Sequence, residues 1–222
     1  MIEFSHVYKR FRTPRGFKYV ARDINCIFPS NVSVGLLGRN GAGKSTLMQM
    51  IGGRMQPNNG KIITKGSVSW PVGFAGSFSS DMTGAQNTRF IARVYGVDTK
   101  SLMEFVEEFA ELGDHFHMPF RNYSSGMKSR LAFGISIGIP FDTYLVDEVT
   151  SVGDANFKNK SRIYFKDRLR NAGAVVVTHS MTQIRQLCQA GAVLEDGTLT
   201  YYPDVEDAIA HHEKNMGTDQ DE

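Results

Sequence analysis

No apolar run in the 222 residues approaches the ~18 consecutive positions of a membrane-spanning helix, so any membrane role is expected to be peripheral. Nor does the start read as a secretory leader. Met1 to Arg10 carries charge and strand-like alternation where a leader needs an apolar stretch, which predicts a chain that stays in the cytosol. Cysteine is scarce: Cys26 and Cys188 have neither metal-ligand nor redox spacing and are expected to be buried small apolar side chains. Charge of one sign is lacking too. Lys and Arg number 25 against 23 Asp and Glu, and the net charge of +2 gives no global reason to expect nucleic acid. No internal repeat or low-complexity linker occurs, and only residues 217–222 read as a flexible polar tail. What remains, 41% hydrophobic and 22% charged, is an ordinary globular composition with length for one domain and an inserted sub-domain.

Ile2, Phe4 and Val7 suggest a first strand, Thr13 to Gly16 a turn, and Ile24, Cys26 and Phe28 a second strand. Val32 to Leu37 is a short apolar run that opens into a glycine-rich stretch and then a helical pattern from Ser45 to Ile51. Tyr144–Val146 and Ala174–Val177 are further buried-strand candidates, each followed by polar residues. Apolar strands alternating with helices imply an α/β fold with a mostly parallel sheet whose ligands bind at its carboxyl edge. Between about 81 and 139 the period becomes helical, through Phe90, Val94, Leu102, Phe105, Val106 and Phe109, which predicts a helical sub-domain inserted in the core. Asp196-Gly197 within Val193–Tyr202 signals a hairpin, and Asp204 can cap a last helix through His212.

Gly38-Arg39-Asn40-Gly41-Ala42-Gly43-Lys44-Ser45 fits G-x-x-x-x-G-K-[ST], between a predicted strand and a predicted helix as that motif requires. Glycines at 38, 41 and 43 allow positive φ and turn backbone N–H groups inward as an anion nest, to which the helix adds the positive end of its dipole. Lys44 would meet the outer phosphates, the Ser45 hydroxyl Mg²⁺, and Thr46 extends the set. At Tyr144–Glu148 an apolar strand delivers two carboxylates: Asp147 for Mg²⁺, and Glu148 to orient or deprotonate the attacking water. Val177–Ser180 repeats the arrangement, with His179 positioned to hydrogen-bond a γ-phosphate.

Ser124, Ser125 and Gly126 open another helix, so hydroxyls, N–H groups and a dipole would face an anion there. Tyr123 to Met127 resembles the signature sequence of ATP-binding cassette proteins, usually L-S-G-G-Q, departing from it at Tyr123, Ser125 and Met127. That resemblance implies a phosphate-loop ATPase fold: a parallel core with an antiparallel β sub-domain and an inserted helical one, one domain over 1–216. It further implies a head-to-tail homodimer in which Ser124, Ser125 and Gly126 of one chain face the phosphate loop of the other. Ser151 to Asp154 is similar to the loop that touches the partner. Phe11 is similar in position to the aromatic that stacks on adenine, with Tyr8 and Tyr19 as alternatives. Nearby Lys9, Arg10, Arg12 and Arg15 read as a solvated face, or as phosphate or lipid-headgroup contacts.

Ser69 to Gly73, Thr83-Gly84 with Asn87, Phe105 to Phe109 and Tyr123 to Phe133 resemble more narrowly the ATPase subunit of bacterial capsular polysaccharide exporters. This implies ATP hydrolysis with Mg²⁺ at the cytoplasmic face of the inner membrane, coupled to export of a lipid-linked polymer. The implied partners are two copies of a membrane-spanning permease, then periplasmic and outer-membrane components, with no nucleic acid. Teichoic acid and O-antigen exporters are the alternatives, and a soluble non-transport cassette the more remote one. The resemblance breaks at one place. Where such ATPases carry a glutamine that senses Mg²⁺ and couples to the permease, Ser79 stands, too short to span the same distance.

Overall fold

The computed structural model describes residues 1–14, 16–74, 76, 78–147 and 154–217. These fall into two compact units, one drawn from 1–69, 141–148 and 169–222, the other from 70–140 and 149–168. In the first, β1 (Ile2–Thr13) and β2 (Gly16–Phe28) form a long antiparallel hairpin, and β4 (Asn59–Thr64) pairs with the other side of β1. The spacing of Ile2, Phe4 and Val7 breaks a strict period of two for a structural reason. A register shift between Phe4 and Val7, with His6 at φ 49°, returns Val7 to the buried face.

The second sheet of this unit runs in the order β5-β6-β7-β3-β8-β9, with β3 (Ser33–Leu37), β5 (Val68–Pro71), β6 (Thr143–Asp147), β7 (Gly173–Val177), β8 (Ala190–Glu195) and β9 (Thr198–Tyr202). β3 is buried throughout and lies parallel to both neighbours, β7 and β8, which is why it reads as an apolar run interrupted only by Ser33. Asp196 and Gly197, both at positive φ, turn β8 back into antiparallel β9 as their dipeptide predicts. One core joins the two sheets and α1 (Lys44–Ile51): Phe4, Ile24 and Phe28 meet Val34, Leu36, Leu47 and Leu145 there. Each such side chain contributes about 1.5–3 kcal/mol by leaving water. Cys188 belongs to the buried set, and burial pushes its thiol up to about 12 and that of Cys26 to about 11, so neither is poised to react. The last helix, α7 (Val205–Gly217), starts where Asp204 Oδ1 accepts the Glu206 N–H at 2.9 Å. It continues past His212 and takes in Gly217, the first residue of the expected tail.

The second unit is helical: α2 (Gly84–Val94), α3 (Thr99–Ala110), α4 (Ser125–Gly138) and α5 (Ala155–Arg168). Phe109 organises its core, stacked on Phe133 at 5.9 Å and edge-on to Phe157 at 5.3 Å. α2 buries Ala85, Thr88, Ile91 and Ala92 rather than Phe90 and Val94, which are 52% and 59% exposed. Its start is fixed by a reciprocal capping box between Thr83 and Gln86.

Tyr123, the first departure from the signature pattern, has a local explanation. Its ring is buried, its hydroxyl donates to the His115 carbonyl at 2.6 Å, and a Cβ on Gly84 would collide with that hydroxyl. Tyrosine here therefore requires glycine at the first residue of α2. Gly84→Val should destabilise the protein by about 1–3 kcal/mol, read as a lowered urea midpoint. Adding Tyr123→Leu should recover most of it; a double variant no more stable than Gly84→Val would refute the contact as cause.

Candidate active site

The phosphate loop leaves the carboxyl end of β3 with Gly38, Gly41 and Gly43 at φ 148°, 77° and 111°. Gly43 is the N-cap of α1, and a Cβ there would run into the Val20 side chain as well as strain the backbone. No acidic residue occupies the first turn of α1, so the positive end of the helix is not neutralised by its own chain. Lys44 Nζ donates to the carbonyls of Gly38 at 2.6 Å and Arg39 at 3.0 Å, which curls the ammonium back over the loop.

A cavity of about 510 Å³ opens over this loop. Asn40, Gly41, Gly43, Lys44, Ser45 and Thr46 form its floor, and Asp147, Val177 and His179 line it from neighbouring strands. β6, β7 and β3 are adjacent and parallel, so their carboxyl ends deliver Asp147, His179 and the loop to one edge. Gly38 and Ala42 do not line this cavity. Gly38 holds Lys44 from behind, and the Ala42 N–H closes a turn on the Arg39 carbonyl at 3.1 Å.

His179 sits in a short braced loop. Ser180 caps α6 (Met181–Leu187) by accepting the Gln183 N–H at 3.3 Å, while Thr178 Oγ1 bonds Gln183 Oε1 at 3.0 Å and accepts the Ser180 N–H at 3.2 Å. Thr178 and Ser180 belong to the segment marked by the sequence; their bracing through Gln183 is additional, although Ser180-x-x-Gln183 has capping-box spacing.

Phe11 lines the cavity together with Val20 and Lys18. Of the alternatives, neither Tyr8 nor Tyr19 is among its lining residues, and Tyr19 instead carries the Arg22 guanidinium over its ring at 4.3 Å and accepts from Arg10 at 3.3 Å. Lys18 is a cavity residue that no sequence pattern marks, unlike the nearby basic residues Lys9, Arg10, Arg12 and Arg15. Two of those have local partners: Lys9 donates to the Gln56 carbonyl at 2.7 Å, and Arg10 lies 4.2 Å from the Phe17 ring. Arg15 lies outside the described residues.

In the helical unit, Ser124 is the N-cap of α4, its Oγ accepting the Met127 N–H at 3.2 Å. Ser124, Ser125 and Gly126 are exposed, and again no acidic residue shares the first turn. Asp154 caps α5: its Oδ1 accepts the Phe157 N–H at 2.9 Å and its Oδ2 the Arg130 guanidinium at 2.7 Å. The Phe157 amide above all, with Arg130, holds this carboxyl below its usual range. Ser79 is pinned through its backbone, donating to Asn87 Oδ1 at 2.9 Å and accepting from Asn87 Nδ2 at 3.1 Å. Asn87 is buried, so its amide ties this loop to α2 whatever the Ser79 side chain does. Glu148, Ser151, Val152 and Gly153 lie outside the described residues.

Ser45 and Asp147 offer a hydroxyl and a carboxylate, hard oxygen donors suited to Mg²⁺, lining one cavity. Among the described residues no group of three or more His, Cys, Asp or Glu is placed to hold a metal. The chemistry of these two donors fits Mg²⁺.

A glycine-lined anion cradle at the edge of a parallel sheet, with a carboxylate and a histidine beside it, is the arrangement of a nucleoside triphosphatase. The chain belongs to the ABC transporter family, whose profile matches residues 21–151, and it carries that family's ATPase domain. It is 46% identical over 222 residues to the polysialic acid transport ATP-binding protein KpsT of Escherichia coli, covering 99% of each chain. It is 41% identical to the capsule polysaccharide export ATP-binding protein CtrD of Neisseria meningitidis serogroup B, covering 96% of this chain and 98% of the other. The teichoic acids export ATP-binding protein TagH of Staphylococcus haemolyticus is 39% identical over 82% of this chain and 70% of its own. Among solved structures, the dimeric post-hydrolysis state of the ATP-binding cassette MJ0796 bound to ADP and Pi superposes with a TM-score of 0.75. It has 18% identity and covers 90% of this chain and 97% of that one, a likeness of fold.

Proposed function

We propose that this chain is the ATP-hydrolysing subunit of an exporter that moves a lipid-linked capsular polysaccharide across the bacterial inner membrane. The observation that carries the reading is the cavity over the phosphate loop, where Lys44, Ser45, Asp147 and His179 converge while Phe11 lines the same space. The capsule follows from the names of relatives matched along nearly their whole length. Teichoic acid export is the second reading. It is favoured by the TagH match but weakened by the smaller share of TagH that this chain covers. No described helix is long and apolar enough to cross a membrane. The path for the polymer therefore belongs to partners, two permease subunits on whose cytoplasmic face two copies of this chain would act.

In this reading Phe11 stacks on adenine, and the N–H groups of residues 38 to 46 take the phosphates. Lys44 neutralises charge on the outer phosphates as it develops. Ser45 and Asp147 would hold Mg²⁺, which when bound would supply Lewis-acid stabilisation of the charge on the phosphates. Glu148 accepts a proton from the attacking water, and His179 donates to the γ-phosphoryl oxygen. The exposed N-terminus of α4, with Ser124, Ser125 and Gly126, caps the triphosphate of a second chain, and Asp154 lies at the junction of the pair. Ser79 occupies the coupling position, where its backbone, clamped by Asn87, replaces the reach of a longer side chain.

Glu148→Gln should bind Mg·ATP normally but turn it over ~10² to 10⁴ times more slowly. Phosphate production at the wild-type rate would remove Glu148 from its role. Ser124→Arg should leave ATP binding intact and abolish ATP-induced dimerisation in sedimentation velocity, whereas unchanged dimerisation would refute the cross-chain cap. The assignment to capsule is tested by complementation. A capsule-forming strain deleted for its exporter ATPase should regain surface polysaccharide with this chain and its permease, and persistent intracellular polymer would count against it.

A further inference from the structure

The last turns of α7 bring His212 and Met216 against the flank of the phosphate loop. With Gly38, Arg39, Asn40 and His179 they enclose a second cavity of about 270 Å³. Asn40 and His179 line both cavities, whereas Phe11 and Lys18 line only the first, so the two spaces adjoin away from the aromatic end. The wall that α7 contributes is anchored. Asn215 Nδ2 donates to Glu195 Oε2 at 2.6 Å, the Tyr202 hydroxyl meets His211 Nδ1 at 2.9 Å, and Ala208 and Ile209 are buried.

Among the described residues, no acidic residue lines this second cavity. It presents a guanidinium-bearing residue, an amide and two imidazoles, a donor-rich set suited to a tetrahedral oxyanion. His212 is half-buried, and burial, followed by the nearby Lys44 ammonium, lowers its imidazole below the usual histidine range. At neutral pH it offers one N–H donor rather than a second fixed charge. At about 30 Å³ per water, the space admits a phosphate with several waters around it.

Resting on the nucleotide reading above, we propose that this cavity is a transient binding site for inorganic phosphate after hydrolysis. Water adds to the γ-phosphorus, the bond to the β-bridging oxygen breaks, and the products are ADP and phosphate. ADP remains on the loop, with its base toward Phe11 and its β-phosphate against Lys44. Phosphate is released at the His179 end, and the cavity adjoining that end receives it. His179 donates to it on one side and His212 on the other, while Arg39 adds a permanent charge.

The test is inorganic phosphate titrated into full-length protein saturated with Mg·ADP, followed by ³¹P NMR line broadening. His212→Ala should weaken phosphate binding about three- to ten-fold, the worth of one hydrogen bond, and leave Mg·ADP affinity unchanged. His212→Gln keeps a donor and should recover most of the loss. Equal phosphate affinity in wild type and His212→Ala would overturn the proposal, as would parallel losses of phosphate and Mg·ADP affinity. Wild-type protein unable to bind Mg·ADP would refute the nucleotide reading itself. Phosphate titrated alone against the two variants would still decide this one.

Discussion

Positive φ at Gly38, Gly41 and Gly43 shapes the loop at the start of α1, and holding that shape constrains much of the first unit. The loop holds its shape because β3 is buried and pinned between β7 and β8, so Gly38 leaves the sheet in one direction only. It ends where Val20, on the antiparallel hairpin, leaves no room for a side chain at 43. The same parallel pairing places Asp147 and His179 at the edge where the loop begins. The core residues between the two sheets thus do more than stabilise: they hold the hairpin that carries Phe11 and Lys18 against the loop it serves.

The helical unit answers a related problem with different parts. Like α1, α4 begins with no carboxylate in its first turn, and small residues leave its N-terminal amides open to solvent. Each helix start keeps the positive end of its dipole unneutralised by its own first turn. Asp154 follows β6 closely in sequence, and its carboxylate is engaged twice, by the α5 cap and by Arg130 of α4. The start of α5 and the helix bearing Ser124 therefore belong to one electrostatic cluster, to which Glu111 and Lys160 add at 3.6 and 2.6 Å.

Legibility in the sequence followed the range of the physics. The phosphate loop, the Asp196-Gly197 turn and the buried strands of the parallel sheet depend on local backbone demands and short apolar runs, and all were readable residue by residue. β4 was not, because it is an edge strand of Asn-Gly-Lys-Ile-Ile-Thr with little burial and no alternation to betray it. Phe90 and Val94 gave the right helix but the wrong face, since the inner side of α2 is lined with the small residues Ala85 and Ala92. Within the site, Lys18 escaped notice because only the register of the hairpin puts it beside Phe11. The pairing of Tyr123 with Gly84 is likewise a tertiary fact, whereas the brace around His179 is local and is signalled by the Ser180-x-x-Gln183 spacing. Gly84 and Tyr123 are far apart in sequence, and nothing local in either segment announces the other.

The central claim is that the glycine-lined loop, completed by Lys44, binds a triphosphate. Thermal unfolding of wild type and Lys44→Ala with and without Mg·ATP tests it most directly, because a ligand that binds only the folded state raises its stability. At a hundred times Kd that increment is about 2.7 kcal/mol, so wild type should melt several degrees higher with Mg·ATP, and Lys44→Ala should show little or no shift. Equal stabilisation of both proteins by Mg·ATP would contradict the account.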